Sequence, residues 1–339
     1  MAEATDGGGA LGNGAHEKNG KSSKGHCKRF WWLYVLLILI IAAAVVVPCV
    51  ILVAVPRMAQ KKLDEATLTI DGISVTNVQT NSLNMAINST ITTDGSTHAT
   101  IDAFEGTMYL ADVDPPLAFA KINFPETTSD AHQTVNVSQN IPILDQDAFT
   151  TFNEHLIQHE SVNVLVEGDT HVHVRGISRA YGVTFSKTVP LQGLNGFKGL
   201  SVTNPHVSIA EFDNFNATAH IPNPSSLTLD VGNTTFHTYL NGSEVGTSYI
   251  LNLVLHPGTN DFFIWADINN TIVLNALTKH PTCERNGTLT FELSGKNVTD
   301  LGQPIPYFAN SLAASNVSVD IAIGQAVKHD IGFDLGCTD

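Results

Sequence analysis

The sequence predicts a mainly β protein: tandem antiparallel β-sandwiches, each with about one helix, following a single transmembrane helix. Three observations carry this expectation. An uninterrupted apolar run extends from Leu33 to Val55 without a charge. Beyond it, short segments alternate apolar and polar residues between Gly, Asn, Pro and Asp. Finally, a set of sequence matches recurs in the same order about 127 residues apart.

At 1.5 Å rise per residue, the apolar run is long enough to cross a hydrocarbon core of roughly 30 Å. A cleaved signal peptide has a shorter apolar region, about 7 to 15 residues, and lacks a long hydrophilic lead. Trp31, Trp32 and Tyr34 stand where an interfacial aromatic belt belongs. Lys18, Lys21, Lys24, Lys28 and Arg29 precede the run, against Arg57, Lys61 and Lys62 after it, which favours a cytosolic N-terminus. Every Asn-x-Ser/Thr sequon lies on the C-terminal side: Asn88, Asn136, Asn216, Asn233, Asn241, Asn269, Asn286, Asn297 and Asn316. Glycan transfer to these requires an exposed loop in the secretory lumen. The expected organisation is a disordered cytosolic tail at 1–29, a span at 30–56, a first lumenal sandwich at 64–190 and a second at 191–339.

Charge divides at the membrane. Five Lys/Arg and three Asp/Glu precede the run, while twelve and twenty-nine follow it, so the C-terminal part carries a net −17. Nucleic acid is not an expected partner, because its recognition needs a clustered basic surface. The Gly-, Ser- and Asn-rich tail has too little apolar surface to offset chain entropy. Twelve of the 14 histidines lie beyond the span, and they read as ordinary exposed side chains rather than as a dedicated pH sensor. Cys27 and Cys49 lie beside and inside the span, leaving Cys283 and Cys337 as the candidate lumenal disulfide.

The repeat begins where Ile73-Ser74-Val75-Thr76-Asn77 returns as Leu200-Ser201-Val202-Thr203-Asn204. Asn88-Ser89-Thr90 falls opposite Asn216-Ala217-Thr218, Ala99 to Asp102 opposite Leu227 to Asp230, and Ser161 to Gly168 opposite Gly287 to Gly295. Strands are expected around Leu68–Ile70, Val135–Val137, Val162–Val166, Thr234–Tyr239, Leu251–Leu255 and Val317–Ile321, where period-two alternation is rich in Val, Ile, Thr and aromatics. The clearest helical window is Asp147 to Glu160, with Phe149, Phe152 and Leu156 on one face, and its counterpart is expected near Ile272 to Thr278.

Asn204-Pro205 after an alternating strand, then Asn223-Pro224-Ser225-Ser226-Leu227-Thr228-Leu229-Asp230, then Leu240 to Gly246 before Leu251 to Gly258, resemble the late-embryogenesis-abundant type 2 domain. A short basic tail, one span and tandem lumenal copies are similar to an uncharacterised fungal single-pass membrane-protein family. That family is related to a yeast vacuolar-membrane protein implicated in terminating autophagy. The resemblance covers about residues 64–339, although the first copy has Asn77-Val78 where Asn-Pro belongs. It implies a vacuolar membrane, with another secretory-pathway membrane or the plasma membrane as alternatives.

No nucleophile elbow, phosphate loop, zinc-protease motif or dinucleotide fingerprint occurs, so no catalytic residue, cofactor or enzymatic activity is expected. His155 and His159 share a helix face and His171 and His173 a strand face, but the first pair lies on the flank of the buried face, and no metal site is assigned. The acid pairs Asp112/Asp114 and Asp145/Asp147 sit beside turn residues and read as structural. Two readings remain. Lipid binding or transfer follows from the resemblance, which implies a groove between sheet and helix. Phe149, Phe152, Leu156, Phe262, Phe263, Trp265 and Leu274 are its candidate lining. The alternative is a glycosylated interaction scaffold with a protein partner in the lumen or at the cell surface. The oligomeric state is left open.

Overall fold

The computed structural model of the chain describes residues 24–280, 282–285 and 287–333. It divides into two compact units, Met1–Val55 and Pro56–Asp339. In the first, α1 (Lys24–Cys49) carries Pro48 inside it and is followed by a π-helical turn, Val50–Ala54. Proline lacks the N–H for an i−4 bond and its ring crowds the preceding turn, and the widened turn beyond it absorbs the mismatch. Helical structure extends past the apolar run, through α2 (Val55–Glu65), giving one helix long and apolar enough to cross a membrane by length and composition. Such a segment near an N-terminus serves as a membrane anchor or as a signal sequence.

The second unit is mainly β. Its first half contains β1 (Thr67–Thr76), β2 (Ser82–Thr92), β3 (Ala99–Ile101), β4 (Phe104–Leu110), β5 (Leu117–Phe124), β6 (Thr127–Thr128), β7 (His132–Pro142), α3 (Gln146–Gln158), β8 (Ser161–Val174) and β9 (Ala180–Gln192). Its second half contains β10 (Ser201–Val207), β11 (Phe215–Asn223), β12 (Leu227–Leu240), β13 (Ser243–Leu255), β14 (Gly258–Ile268), α4 (Asn270–Leu277), β15 (Leu289–Asp300), β16 (Gln303–Pro304), α5 (Pro306–Ala314), β17 (Val317–Ile321) and α6 (Ile323–Ile331). The second half therefore carries three helices where one was expected.

Strand pairing in the two halves follows one plan. The pairs β1–β2, β2–β7, β4–β5, β4–β8 and β8–β9 correspond to β10–β11, β11–β14, β12–β13, β12–β15 and β15–β17, all antiparallel. Where β13 and β14 form a full ladder, β5 and the end of β7 meet through one bridge, Ala120–Ile143. Asn77 and Asn204, matched in the sequence repeat, both adopt positive φ, 47° and 51°. Asn tolerates this left-handed conformation better than most residues, which gives the shared Asn a local cause.

The repeats are joined rather than strung apart. β1 pairs with β12 in parallel, Ile73 opposite Leu227 and Val75 opposite Leu229, so strands of both repeats merge into one eleven-stranded sheet beside a six-stranded one. Along the edge away from β13, β12 serves two partners, and it breaks register at Gly232, φ 92°, where a Cβ would lie 2.7 Å from the Thr299 carbonyl oxygen. Before Gly232 the strand pairs with β1, and after it with β15. A second joint is helical: α5 packs on α3, with Tyr307 edge-on to Phe149 at 4.9 Å.

Candidate functional site: an apolar cavity in the second repeat

β11 alternates strictly, so Phe215, Ala217, Ala219 and Ile221 point inward, and β14 likewise turns Ile264 and Ala266 inward. β12 contributes Phe236 and Thr238, β13 contributes Ser248, Ile250, Leu253 and Leu255, and β15 contributes Phe291 and Leu293. Several inward positions are small or β-branched, namely Ala219, Thr238, Ser248, Val317 and Val319, so the facing walls do not meet. The result is a cavity with about 110 Å³ of space that the centre of a water molecule could occupy. That is roughly an order of magnitude above what one water needs. The corresponding strands of the first repeat bring Phe104, Phe124 and Phe185 together, with ring centroids 5.0–5.9 Å apart.

Among the described residues, no charged one lines the cavity. Its polar side chains are Asn214, Thr238, Ser248, Asn270 and Ser315, and each has a partner in the protein. Thr238 and Ser248 share a hydroxyl hydrogen bond of 2.6 Å. Asn214 donates to the Ile268 carbonyl at 2.7 Å and accepts the Ile268 N–H at 2.9 Å. Asn270 donates to the Ser208 carbonyl, and the Ser315 hydroxyl accepts from Gln158 of the first repeat. Apart from the hydroxyl protons that these bonds leave over, such a wall presents hydrocarbon to whatever enters.

The strands of this repeat run in the order β10-β11-β14-β13-β12-β15-β17, and the two ends of that series, β10 and β17, pack together without a shared ladder. Cavity-lining residues on either side of this seam are only half-buried: Leu200, Val202 and Val207 on one side, Leu293 and Val317 on the other. α6 packs against β10. Its Asp330 accepts the Val207 N–H at 2.9 Å and a hydrogen bond from His329 Nδ1 at 2.6 Å, with His206 Nδ1 at 3.3 Å. The His329 hydrogen bond, helped by the Val207 N–H and by His206, holds the Asp330 carboxyl below the usual carboxylate range. Ile323, at the start of α6, reaches the cavity itself.

None of the seven residues expected to line a groove borders this cavity. Phe149, Phe152 and Leu156 are buried on α3: Phe152 stacks on Phe119 of the same repeat at 4.4 Å, and Phe149 meets Tyr307 of the other. Phe263 is 63% exposed and Trp265 stacks on Tyr249 at 5.5 Å, both on the outer face of β14. Phe262 and Leu274 are half-buried against the core away from the cavity. β14 lines the cavity through Ile264 and Ile268, and α4 through Val273.

The other candidates are placed as follows. Asn88, Asn136, Asn241, Asn269, Asn297 and Asn316 are exposed, Asn216 and Asn233 are half-buried, and Asn286 lies outside the described residues. Asn269 also caps α4, its side-chain oxygen accepting from Thr271 and Ile272 N–H, which leaves its amide nitrogen unused by the cap. Cys283 is disulfide-bonded, Cys337 lies outside the described residues, and Cys49 is a free, exposed thiol. Asp145 N-caps α3, and Asp112 accepts both the backbone and side-chain N–H groups of Asn163 at 2.7 Å. His155 and His159 stand 4.9 Å apart on α3, whereas His173 pairs with Asp102 at 3.0 Å, and no group able to hold a metal occurs among the described residues.

No match was found among curated proteins. Among solved structures, a glycosyl hydrolase family 2 member from Bacteroides cellulosilyticus is similar at 11% identity and TM-score 0.19, over 44% of this chain and 17% of its own. The Salmonella enterica SafA pilin in complex with the SafB chaperone is similar at 10% identity and TM-score 0.18, over 71% of this chain and 92% of its own. Red sea bream transglutaminase is similar at 10% identity and TM-score 0.23, over 78% of this chain and 32% of its own. A family model described as a protein of unknown function, DUF3712, matches residues 117–238, from β5 through most of β12 and so across the junction of the two repeats.

Proposed function

We propose that the protein is a non-catalytic, membrane-anchored lipid-binding or lipid-transfer protein, with its site inside the second repeat. The observation that carries this reading is the charge-free cavity between Ala219, Phe236, Ile250 and Phe291, whose polar groups are all engaged within the protein. An unfilled interior loses dispersion contacts and costs stability, so an apolar occupant gains what the walls lack. The helix Phe30–Glu65 acts as an anchor with its basic flank in the cytosol, and the β unit lies in the lumen. The exposure of six sequon asparagines supports the lumenal placement. A vacuolar membrane, and a part in ending autophagy, follow from the family resemblance alone.

Lipid extraction from the full-length protein, purified in mild detergent and exchanged into a different one, tests the reading. A lipid retained near one per chain supports it. Protein that carries none, and takes up none from labelled vesicles, contradicts it.

A second reading has its own observation. The loop between β10 and β11 holds Ile209 and Phe212 at 79% and 66% exposure, an apolar pair suited to a protein partner. Under this scaffold reading, substituting both residues with Ser abolishes partner recruitment and leaves bound lipid unchanged.

A further inference from the structure

We propose that the cavity of the second repeat, on the reading that it holds lipid, selects a single hydrocarbon chain with an uncharged head and discriminates against the same chain carrying an ionised one. The proposal rests on what the walls and the rim offer a head group.

Inside, a carboxylate or phosphate would meet no cation among the described residues. Every described lining side chain is uncharged; the Asn214 amide is engaged by Ile268, and the Thr238–Ser248 bond leaves over one neutral O–H, which does not neutralise an ion. Taking an ion out of water into such surroundings carries a penalty of several kcal/mol unless it is paired. A hydroxyl or ester carries much less, and one hydroxyl can join the Thr238–Ser248 pair by exchange of hydrogen bonds.

At the rim the balance is the same. The half-buried residues along the seam, Leu200, Val202, Val207, Leu293 and Val317, are all aliphatic. The charged group beside Val207 is an acid, Asp330, and the two histidines near it are already directed at its carboxylate. An anionic head left at the seam therefore meets an aliphatic margin whose Val207 N–H is already taken by an acid. The space of about 110 Å³, below the roughly 150 Å³ that takes one benzene, admits a segment of one chain as the walls stand.

Photolabelling tests this with the full-length chain in nanodiscs. Two probes share one sixteen-carbon chain with a mid-chain diazirine and differ only in ending as an alcohol or a carboxylate. Adducts are mapped by mass spectrometry to peptides containing Phe236, Ile250 and Phe291, and normalised to adducts on the apolar run Leu33–Val55, which reports bilayer partitioning. The expected result at neutral pH is at least about tenfold more normalised labelling by the alcohol, equivalent to about 1.4 kcal/mol of discrimination. Loss of these adducts in Ala219→Leu or Val319→Phe would tie the labelling to the cavity. Equal labelling by both probes overturns the head-group selectivity while leaving lipid binding intact. Labelling of the apolar run alone by both probes overturns the lipid reading, and this inference with it.

Discussion

Tyr307, on the helix inserted between β15 and β17, donates its hydroxyl to the carbonyl of Gln79 in the first repeat at 3.0 Å. Tyr307 is fully buried, and burial, with the nearby charge of Asp300, pushes its phenol above the ordinary range, so it acts as a neutral donor. Removing only the hydroxyl leaves a buried carbonyl without that partner, at a cost of about 1–3 kcal/mol. Tyr307→Phe is therefore expected to lower the unfolding midpoint while calorimetry still shows one transition for both repeats. Two separated transitions in the unsubstituted protein would contradict the view that the repeats are welded.

Filling the cavity should be tolerated. Adding volume to a packed core costs about 1–3 kcal/mol, but at Ala219 the new methyl groups enter existing space. Ala219→Leu should leave thermal stability within about 1 kcal/mol of the parent in the absence of lipid. The same change at Ala120, which is buried in the first repeat and borders no part of this cavity, should be distinctly destabilising.

Asp330 sets a direction for pH dependence. Its folded pKa lies below its unfolded value near 4, so its contribution is present above about pH 4 and is lost as pH falls through the lower folded value. The stability difference between the parent and Asp330→Asn, followed by chemical denaturation, should shrink as pH falls below about 4. A difference that grows as pH falls below about 4 would contradict the assigned hydrogen bonds to His329 and Val207.

Gly295 lets α5 lie close on β15. A Cβ there would stand 2.7 Å from the Ala313 nitrogen and 2.7 Å from the Leu312 Cβ, neither of which can swing aside. Gly295→Ala is expected to cost about 1–3 kcal/mol and to increase hydrogen exchange across Pro306–Ala314. Gly182→Ala, where a Cβ meets nothing within 4 Å, is the matched control.

What the sequence made legible was local. The helix expected over Asp147–Glu160 forms as Gln146–Gln158 because Asp145 supplies an N-cap and the Phe149/Phe152/Leu156 stripe supplies a buried face. The strand at Val317–Ile321 follows from its alternation. α5 and α6 carry buried faces too, Tyr307/Ser311 and Ile323/Ala326/Val327, but each has only nine residues, and Ile305 and Ala322 stand at their N-caps without a side-chain hydrogen bond. The parallel β1–β12 pairing joins residues some 150 apart, which no local pattern encodes. The cavity is a shortfall of volume, set by Ala219 and Ser248 standing on different strands, and its own aromatics, Phe236 and Phe291, carry no local mark that distinguishes a wall from a filled core. Phe149 meets Tyr307 and Phe152 stacks on Phe119 instead.

The central claim is that the second repeat encloses a lipid site. Native mass spectrometry of the full-length protein, released from its membrane in mild detergent, tests it when the parent is compared with Ala219→Leu and Val319→Phe. The account predicts one bound lipid on the parent and none on either variant, at equal folding by circular dichroism. The same lipid on all three proteins, or none on any, would contradict it.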